Sequence, residues 1–343
     1  MSLVSREPLD QVLSNYSIRI KCIRNESYKE KKGVWWIQTD EGMKILKKIS
    51  NSEETFKHIL HAIEHLTGNG ILIPEIISTV HGNRYVKFDD NCYVLSNAIE
   101  GKNPSYNSCH ELEKIVRGLA KFHKASEGFS PLPDSKPKCH LGLWVEDYEQ
   151  QIEDMKRFYS EDAASTGINA VSKTIVNEFP YFYQRAQKAI DGLKGPEYRD
   201  WVAEAAVTGC LCHQDFAAGN LIIDSKGRMY VLDTDSLTID IAARDIRKLL
   251  NKIMKKAGKW DMDLTGKILG IYQSENPLTA SKWQVVRLDL LFPHLFIGAI
   301  NKYYYRRDKE WSDEKYLERI REMAAFEKTA IPVLESFHKI IPH

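Results

Sequence analysis

Residues 211–235 restrict what this chain can fold into more than any other stretch. Two short β-prone runs, Leu221 to Ile223 and Met229 to Leu232, are joined by the turn sequence Asp224-Ser-Lys-Gly227. Strands of matching length bring the two ends of such a hairpin together. Asn220 leads into the first strand and Asp233 follows the second, so an amide oxygen and a carboxylate are set side by side. Both are hard oxygen donors; magnesium takes one or two of these from a protein and fills its shell with phosphate oxygens. Asp215 lies five residues before Asn220, placed to accept a proton from an incoming hydroxyl. His213, two residues earlier, either braces this loop through hydrogen bonds or titrates.

The hairpin is a β insert among helices. Before residue 100 the order is reversed, and short β-like runs dominate: Ser17 to Ile23, Gly33 to Thr39, Met43 to Ile49, Arg84 to Phe88 and Cys92 to Leu95. One helix interrupts them. Ser52 reads as its N-cap, Glu53 and Glu54 fill the first turn, and Phe56, Ile59, Leu60, Ile63 and Leu66 make one apolar face. After residue 100, Glu111 to Ser126, Trp144 to Tyr159, Thr174 to Leu193 and Tyr198 to Ala206 read as helices, and more follow from Arg244. The expected class is α+β in two lobes: a small β-rich lobe, residues 1–96, and a larger mostly helical lobe, residues 97–343, with a cleft at their junction. With 343 residues, each lobe is large enough to bury a core of its own.

Composition removes several classes. Lys and Arg number 48 against 47 Asp and Glu, so no global basic field draws nucleic acid. The longest apolar stretch, Leu288 to Ile300, is broken by Asp289, Pro293 and His294 and is shorter than the roughly 20 residues a spanning helix needs, so membrane insertion is not expected. Residues 1–8 place acid and proline where a signal peptide carries an apolar core; synthesis in the cytoplasm without one is the expectation. Cys210 and Cys212, the one close pair among six cysteines, alternate as if on one strand face and read as buried thiols.

The pattern His213, Asp215, Asn220 and Asp233 resembles the catalytic and metal-binding loops of the protein-kinase-like superfamily, in its aminoglycoside phosphotransferase and choline kinase branch. The resemblance implies ATP and Mg2+ as cofactors and a small-molecule acceptor. Lys44-Ile-Leu-Lys47 is similar to the strand whose lysine meets the nucleotide α- and β-phosphates, which would be Lys47; an exposed strand lysine is the plain alternative, as Lys44 and Lys48 on the other face show. The helix after it would supply the acidic partner of Lys47. Glu53 and Glu54 both qualify by position, and Glu53 shares a face with Phe56, Leu60 and Ile63. Tyr93 to Gly101 is similar to the hinge that holds adenine, which implies the carbonyl of Asn97 and the amide of Ile99 on the base. Asp245 reads as a helix N-terminal charge that also ties down the catalytic loop.

Within that branch the chain resembles the CotS-type spore-coat proteins of endospore-forming bacilli. The grounds are Gly33-Val-Trp-Trp-Ile-Gln-Thr, Lys44-Ile-Leu-Lys47, His65-Leu-Thr-Gly-Asn-Gly and His213-Gln-Asp-Phe-Ala-Ala-Gly-Asn. This resemblance implies a spore-coat location and other coat proteins as partners. The sequence departs from the kinase pattern between its first two strands. Arg24 to Gly33 carries one glycine at its end, and its lysines Lys29, Lys31 and Lys32 either supply charge to phosphates or form a solvated hairpin tip. Two functions follow: a phosphotransferase acting on a small-molecule hydroxyl, or a structural coat component that keeps the fold with little catalysis. Asp235 is either a second acid at the site or a surface carboxylate. Tyr303 to Tyr305 either cage a cationic substrate or pack as core.

Overall fold

The computed structural model of the chain describes residues 7–29, 32–164, 167, 169–305, 307 and 310–342. A short helix, α1 (Leu9–Leu13), precedes β1 (Ile20–Lys29), β2 (Lys32–Thr39) and β3 (Gly42–Ile49); α2 (Glu53–Gly68) follows, then β4 (Val86–Phe88) and β5 (Asn91–Asn97). These five strands form an antiparallel sheet in the order β1-β2-β3-β5-β4. The large lobe runs through α3 (Cys109–Ala125), α4 (Trp144–Ala164), α5 (Ala170–Leu193) and α6 (Pro196–Thr208) to a two-stranded hairpin, β6 (Leu221–Ile223) and β7 (Met229–Val231). It ends in α7 (Ala243–Ala257), α8 (Met262–Glu275), α9 (Ala280–Leu291), α10 (His294–Tyr304), α11 (Asp313–Thr329) and α12 (Ile331–Glu335).

Alternation gives the sheet two different faces. On one, Trp35, Ile37, Leu46, Tyr93 and Leu95 pack under Leu9, Val12 and Leu13 of α1 as a small separate core. Lys44 and Lys48 also lie on that face, where Lys44 donates to the Asn97 side chain (2.7 Å) and Lys48 pairs with Glu7 (2.8 Å). The other face turns Ile45, Lys47, Val94 and Ser96 toward the cleft. There α2 lays its apolar stripe; Phe56, Ile59, Leu60, Ile63 and Leu66 are buried, each contributing about 1.5–3 kcal/mol. These residues belong to one apolar core that continues through the large lobe.

Helix α2 is fastened to that lobe at several points. Ser52 caps it through Thr55 N–H (3.4 Å). His61 and His65 bond the carbonyls of Ser130 and Glu127 at 3.1 and 3.0 Å, and Asn69 donates to the Ala125 carbonyl at 3.2 Å. His58, His61 and His65 all pack their rings around Phe129. The segment after α2 then crosses the cleft: the Leu72 carbonyl accepts from Val231 N–H (2.8 Å), and Ile77 N–H donates to the Leu95 carbonyl (2.8 Å).

Several expectations shift. The first strand begins at Ile20 and reaches Lys29, so most of the charged run read as a connection is strand; its residues pair with β2 alone, at the sheet edge, and are largely exposed. The tip residues 30–31, with Lys31, and residues 1–6 lie outside the described residues. Gly33 sits within β2, where a Cβ would meet the buried Trp35 indole at 2.2 Å, so packing explains this single glycine. Cys210 and Cys212 are in no named strand; Cys212 makes an isolated bridge with Thr238 and is fully buried, Cys210 is half-buried, and all six thiols are unpaired. Among the described residues one segment, Ala280–Tyr304, is long and apolar enough to cross a membrane. Pro293 breaks it between α9 and α10, and 67% of its apolar window is buried in the core. Tyr303 is buried, Tyr304 stacks on Phe158 at 3.9 Å, and Tyr305 donates to Asp154 at 3.0 Å, so this run docks onto α4; Arg306 is outside the described residues.

Candidate active site

The loop before the hairpin is held by a side chain that arrives from α7. Asp245, 1% exposed, accepts the backbone N–H of His213 (2.6 Å) on one oxygen and that of Gln214 (2.9 Å) on the other. His123 lies 3.4 Å from the same carboxylate. Burial pushes the Asp245 carboxyl up; His123, His213 and the backbone donor outweigh it and keep it below its ordinary value. One turn along α7, Lys248 donates to the Gln214 carbonyl (2.8 Å) and side-chain oxygen (2.6 Å). Burial lowers the Lys248 ammonium to about 8. This grip fixes Gln214 at φ +71°, a left-handed conformation that costs a non-glycine residue on the order of 1–2 kcal/mol.

His213 is fully buried, and both ring nitrogens are engaged. Its Nε2 bonds the Leu232 carbonyl (2.9 Å) and its Nδ1 accepts from Asp215 N–H (3.3 Å). Burial holds the imidazole below its ordinary pKa. The geometry is that of a brace between the loop and the end of β7.

Asp215 is half exposed, and its two carboxylate oxygens have different partners. Oδ1 accepts from Lys252 Nζ of α7; Oδ2 accepts from Asn220 Nδ2 at 2.8 Å. Burial pushes this carboxyl up, but Lys252 and Asn220 outweigh it and leave it below the ordinary range, ionised at neutral pH. Asn220 ends a 3-10 turn, Ala218–Asn220, and gives a second bond to the Asp215 carbonyl at 2.9 Å. Its amide nitrogen is thereby committed, and the amide oxygen remains as a donor atom. Beyond the hairpin Asp233 is left-handed (φ +55°, ψ +53°), and Lys47 Nζ lies 3.3 Å from its Oδ1. Asp235 offers its backbone carbonyl to Lys138 (3.0 Å) and Asn51 (3.2 Å).

Lys47, Asn220, Asp233 and Asp235 therefore meet in one cavity of about 200 Å³ between the lobes. Its inner wall is apolar: Ile45 and Val94 from the sheet, Ile73 and Ile76 from the crossing segment, and Phe56, Ile59, Leu60 and Ile63 from α2. Asn97 and Ile99 lie past Ser96, outside this lining; Asn97 ends β5 and donates its N–H to the Glu75 carbonyl at 2.9 Å. All four α2 residues facing the cavity are apolar. Glu53, expected beside Lys47, is turned toward the edge strand instead, where it accepts from Tyr85 (2.7 Å) and Lys87 (2.6 Å). Those two bonds hold its carboxyl down at about 2. The physical reason is local: Phe56 packs edge-on against Tyr85 at 5.5 Å, which sets the first turn of α2 over β4. Glu54 has its own backbone N–H and Ser52 as partners, which lower its pKa.

Residues not singled out by the sequence complete the frame. Tyr106 accepts the N–H of Ala218 (2.9 Å), and Asn103 donates to the Leu221 carbonyl (2.7 Å). The signal for Lys248 and Lys252 was available: they stand three and seven residues after Asp245, the spacing of one helix face.

A five-stranded antiparallel lobe, an apolar cleft and a mostly helical lobe with a loop and hairpin at its mouth define the protein-kinase-like fold. The chain belongs to the family described as "Spore coat putative kinase YutH", whose model matches residues 11–337. It is 30% identical to "Spore coat protein S" of Bacillus subtilis (strain 168) over 332 residues, 97% of this chain and 94% of that protein. Among solved structures it is similar to an aminoglycoside phosphotransferase from Alicyclobacillus acidocaldarius, with TM-score 0.82, 16% identity and coverage of 99% and 98% of the two chains. It is also similar to the amicoumacin kinase hAmiN in complex with AMP-PNP, Ca2+ and Ami, with TM-score 0.64, 14% identity and 95% of each chain covered. At these identities the structural likeness establishes the fold alone.

Proposed function

We propose that the protein is a spore-coat-associated phosphotransferase that moves the γ-phosphoryl group of ATP to the hydroxyl of a small molecule. The observation that carries this reading is the Asp215 carboxylate, held ionised beside Asn220, which lines the cavity together with Lys47 and Asp233. Asp215 takes the acceptor's proton. The acceptor oxygen forms its bond to the γ-phosphorus as the bond from that phosphorus to the β–γ bridging oxygen breaks, and ADP leaves. Lys47 leaves Asp233 to meet the nucleotide phosphates, and the apolar wall receives the base, with the backbone of Asn97 and Ile99 at the hinge. The donor set fits Mg2+: the Asp233 carboxylate and the Asn220 amide oxygen are hard oxygens, and Asp233 is half exposed. Bound there, Mg2+ would neutralise phosphate charge. His213 keeps the loop in register with Asp233. Structural relatives solved with AMP-PNP and Ca2+, or named as phosphotransferases of small molecules, support the same class of cofactor and acceptor.

A second reading has its own support. Lys47 has an aspartate rather than a helix glutamate beside it, and α2 is apolar toward the cleft. A coat component that retains the fold and binds its neighbours in the coat would tolerate both features. Thermal melting with ATP, with and without Mg2+, on the wild type and Asp233→Ala separates the two. A ligand at 100 times its dissociation constant stabilises by about 2.7 kcal/mol. A magnesium-dependent shift that disappears in the variant is the expected result. No shift at millimolar ATP would overturn the phosphotransferase reading.

A further inference from the structure

The acceptor side of the site contains a cation that none of the loop residues supplies. Lys252 reaches Asp215 from α7, 37 residues along the chain, and binds Oδ1, the oxygen left over once Asn220 holds Oδ2. Among the described residues its ammonium pairs with Asp215, and the side chain is about one-third exposed. The helix behind it carries Arg244, Arg247, Lys248, Lys252, Lys255 and Lys256 against the single acid Asp245; Arg244 and Arg247 are ion-paired with Asp240 and Asp289, so its excess charge lies in the four lysines. Asp245 is wholly committed to the loop backbone and His123, so it does not offset Lys252. In a chain whose total charge is +1, this is a local concentration of positive charge beside the candidate base.

We propose that Lys252 selects the acceptor, and that the acceptor is a small hydroxyl compound with an anionic group close to the hydroxyl that is phosphorylated, of the sugar-acid or hydroxy-acid class. The proposal rests on the phosphotransferase reading. An acceptor hydroxyl that hydrogen-bonds Asp215 at Oδ1 shares that oxygen with Lys252 or takes its place, so the ammonium stays within reach of the acceptor's neighbouring atoms. With Lys47 on the nucleotide and Asp233 on the metal, Lys252 is the cation that, among the described residues, touches the proton-accepting carboxylate of Asp215. A carboxylate or phosphate on the acceptor gives that ammonium a new partner. A polycationic amino sugar would force like charges together at the same point and leave Lys252 without its counterion. In the transfer itself the hydroxyl proton goes to Asp215, the acceptor oxygen bonds the γ-phosphorus, the bridging oxygen leaves with ADP, and Lys252 keeps its proton throughout.

The test is a set of matched acceptors assayed for ADP release with Mg·ATP: glucuronate, glucose and glucosamine, and glycerate, glycerol and ethanolamine. In the wild type the anionic member of a set should exceed its neutral counterpart in kcat/KM by about tenfold or more, mainly through KM. Lys252→Arg should keep that preference, Lys252→Gln should lose it, and Lys252→Glu should move it toward the cationic member. The melting shift with Mg·ATP, which involves no acceptor, is measured on every variant to show that fold and nucleotide site persist. If no anionic member exceeds its neutral counterpart while the wild type keeps its Mg·ATP shift, the acceptor assignment is overturned alone. An anionic preference that survives Lys252→Gln also overturns it. Loss of the Mg·ATP shift in the wild type strikes the phosphotransferase reading beneath it.

Discussion

Replacing Asp245 by alanine should unfasten the catalytic loop, and the cost can be worked out bond by bond. The substitution removes the acceptor of two backbone N–H groups, His213 at 2.6 Å and Gln214 at 2.9 Å, in a site from which water is excluded. Each buried donor left without a partner costs about 1–3 kcal/mol, so the pair amounts to roughly 2–6 kcal/mol before the contact with His123 is counted. Against a typical total of about 5–15 kcal/mol, that is a large share. Asp245→Asn should cost less, about 2–3 kcal/mol, because its amide oxygen still satisfies one N–H while its NH2 faces the other. Urea unfolding followed by circular dichroism measures both, and Mg·ATP melting reports the loop directly. The pH dependence adds a second reading. The folded-state pKa of Asp245 is depressed, so its contribution is present above the unfolded value of about 3.9 and is lost as pH falls through the folded value. The alanine variant should therefore lose part of the wild type's acid limb. A stability change under about 1 kcal/mol for Asp245→Ala would refute the argument that this carboxylate holds the loop.

Three further expectations come from other parts of the molecule. His58 is fully buried with no partner for either ring nitrogen among the described residues, and burial, assisted by the charges of His61 and Lys138, lowers its pKa to about 4. The unfolded chain takes up that proton near pH 6.5, so stability should fall as pH drops from 6.5 to 4; His58→Leu should flatten that slope in melting curves, and an unchanged slope would count against it. Gly101 leaves no room for a side chain, since a Cβ would lie 2.4 Å from the Ile223 carbonyl oxygen. Gly101→Ala should lower stability by about 1–3 kcal/mol in denaturant unfolding, and an unshifted midpoint would show that the hinge yields freely. Glu53→Gln should leave Mg·ATP affinity nearly unchanged by calorimetry, whereas Lys47→Ala should weaken it about tenfold or more; equal losses would restore Glu53 as the lysine's partner.

The parts of the fold that were legible in the sequence are those specified by short-range chemistry. The hairpin β6–β7 was readable because a four-residue turn joins two apolar runs, and α2 because Ser52, Glu53 and the spacing from Phe56 to Leu66 agree. The extent of β1 was hidden by its edge position: with one neighbour and mostly exposed residues, it needs no alternating apolar pattern. The position of Glu53 was misjudged because helix periodicity gives a face but not the rotation of that face against the sheet. The contact of Phe56 with Tyr85 sets that rotation, and it joins residues 29 positions apart. The role of Lys252 is hidden in the sequence for a similar reason. Its relation to Asp215 depends on how α7 packs, even though Asp245 and Lys248 on the same face mark the direction.

The moorings of α2 decide how this molecule can move. A helix that shares its core with the large lobe and is bonded to its loop by His61, His65 and Asn69 travels with that lobe. The sheet keeps a small core of its own under α1, yet Ile49, Cys92 and Val94 join it to the shared core, and the crossing segment ties it on the cleft side through Leu72 and Ile77. Mechanically the cleft is then a slot of set width, more a keyway than a jaw. Little ordering remains to be done when a ligand arrives, and selection among ligands falls to the fixed outline and charge of the slot.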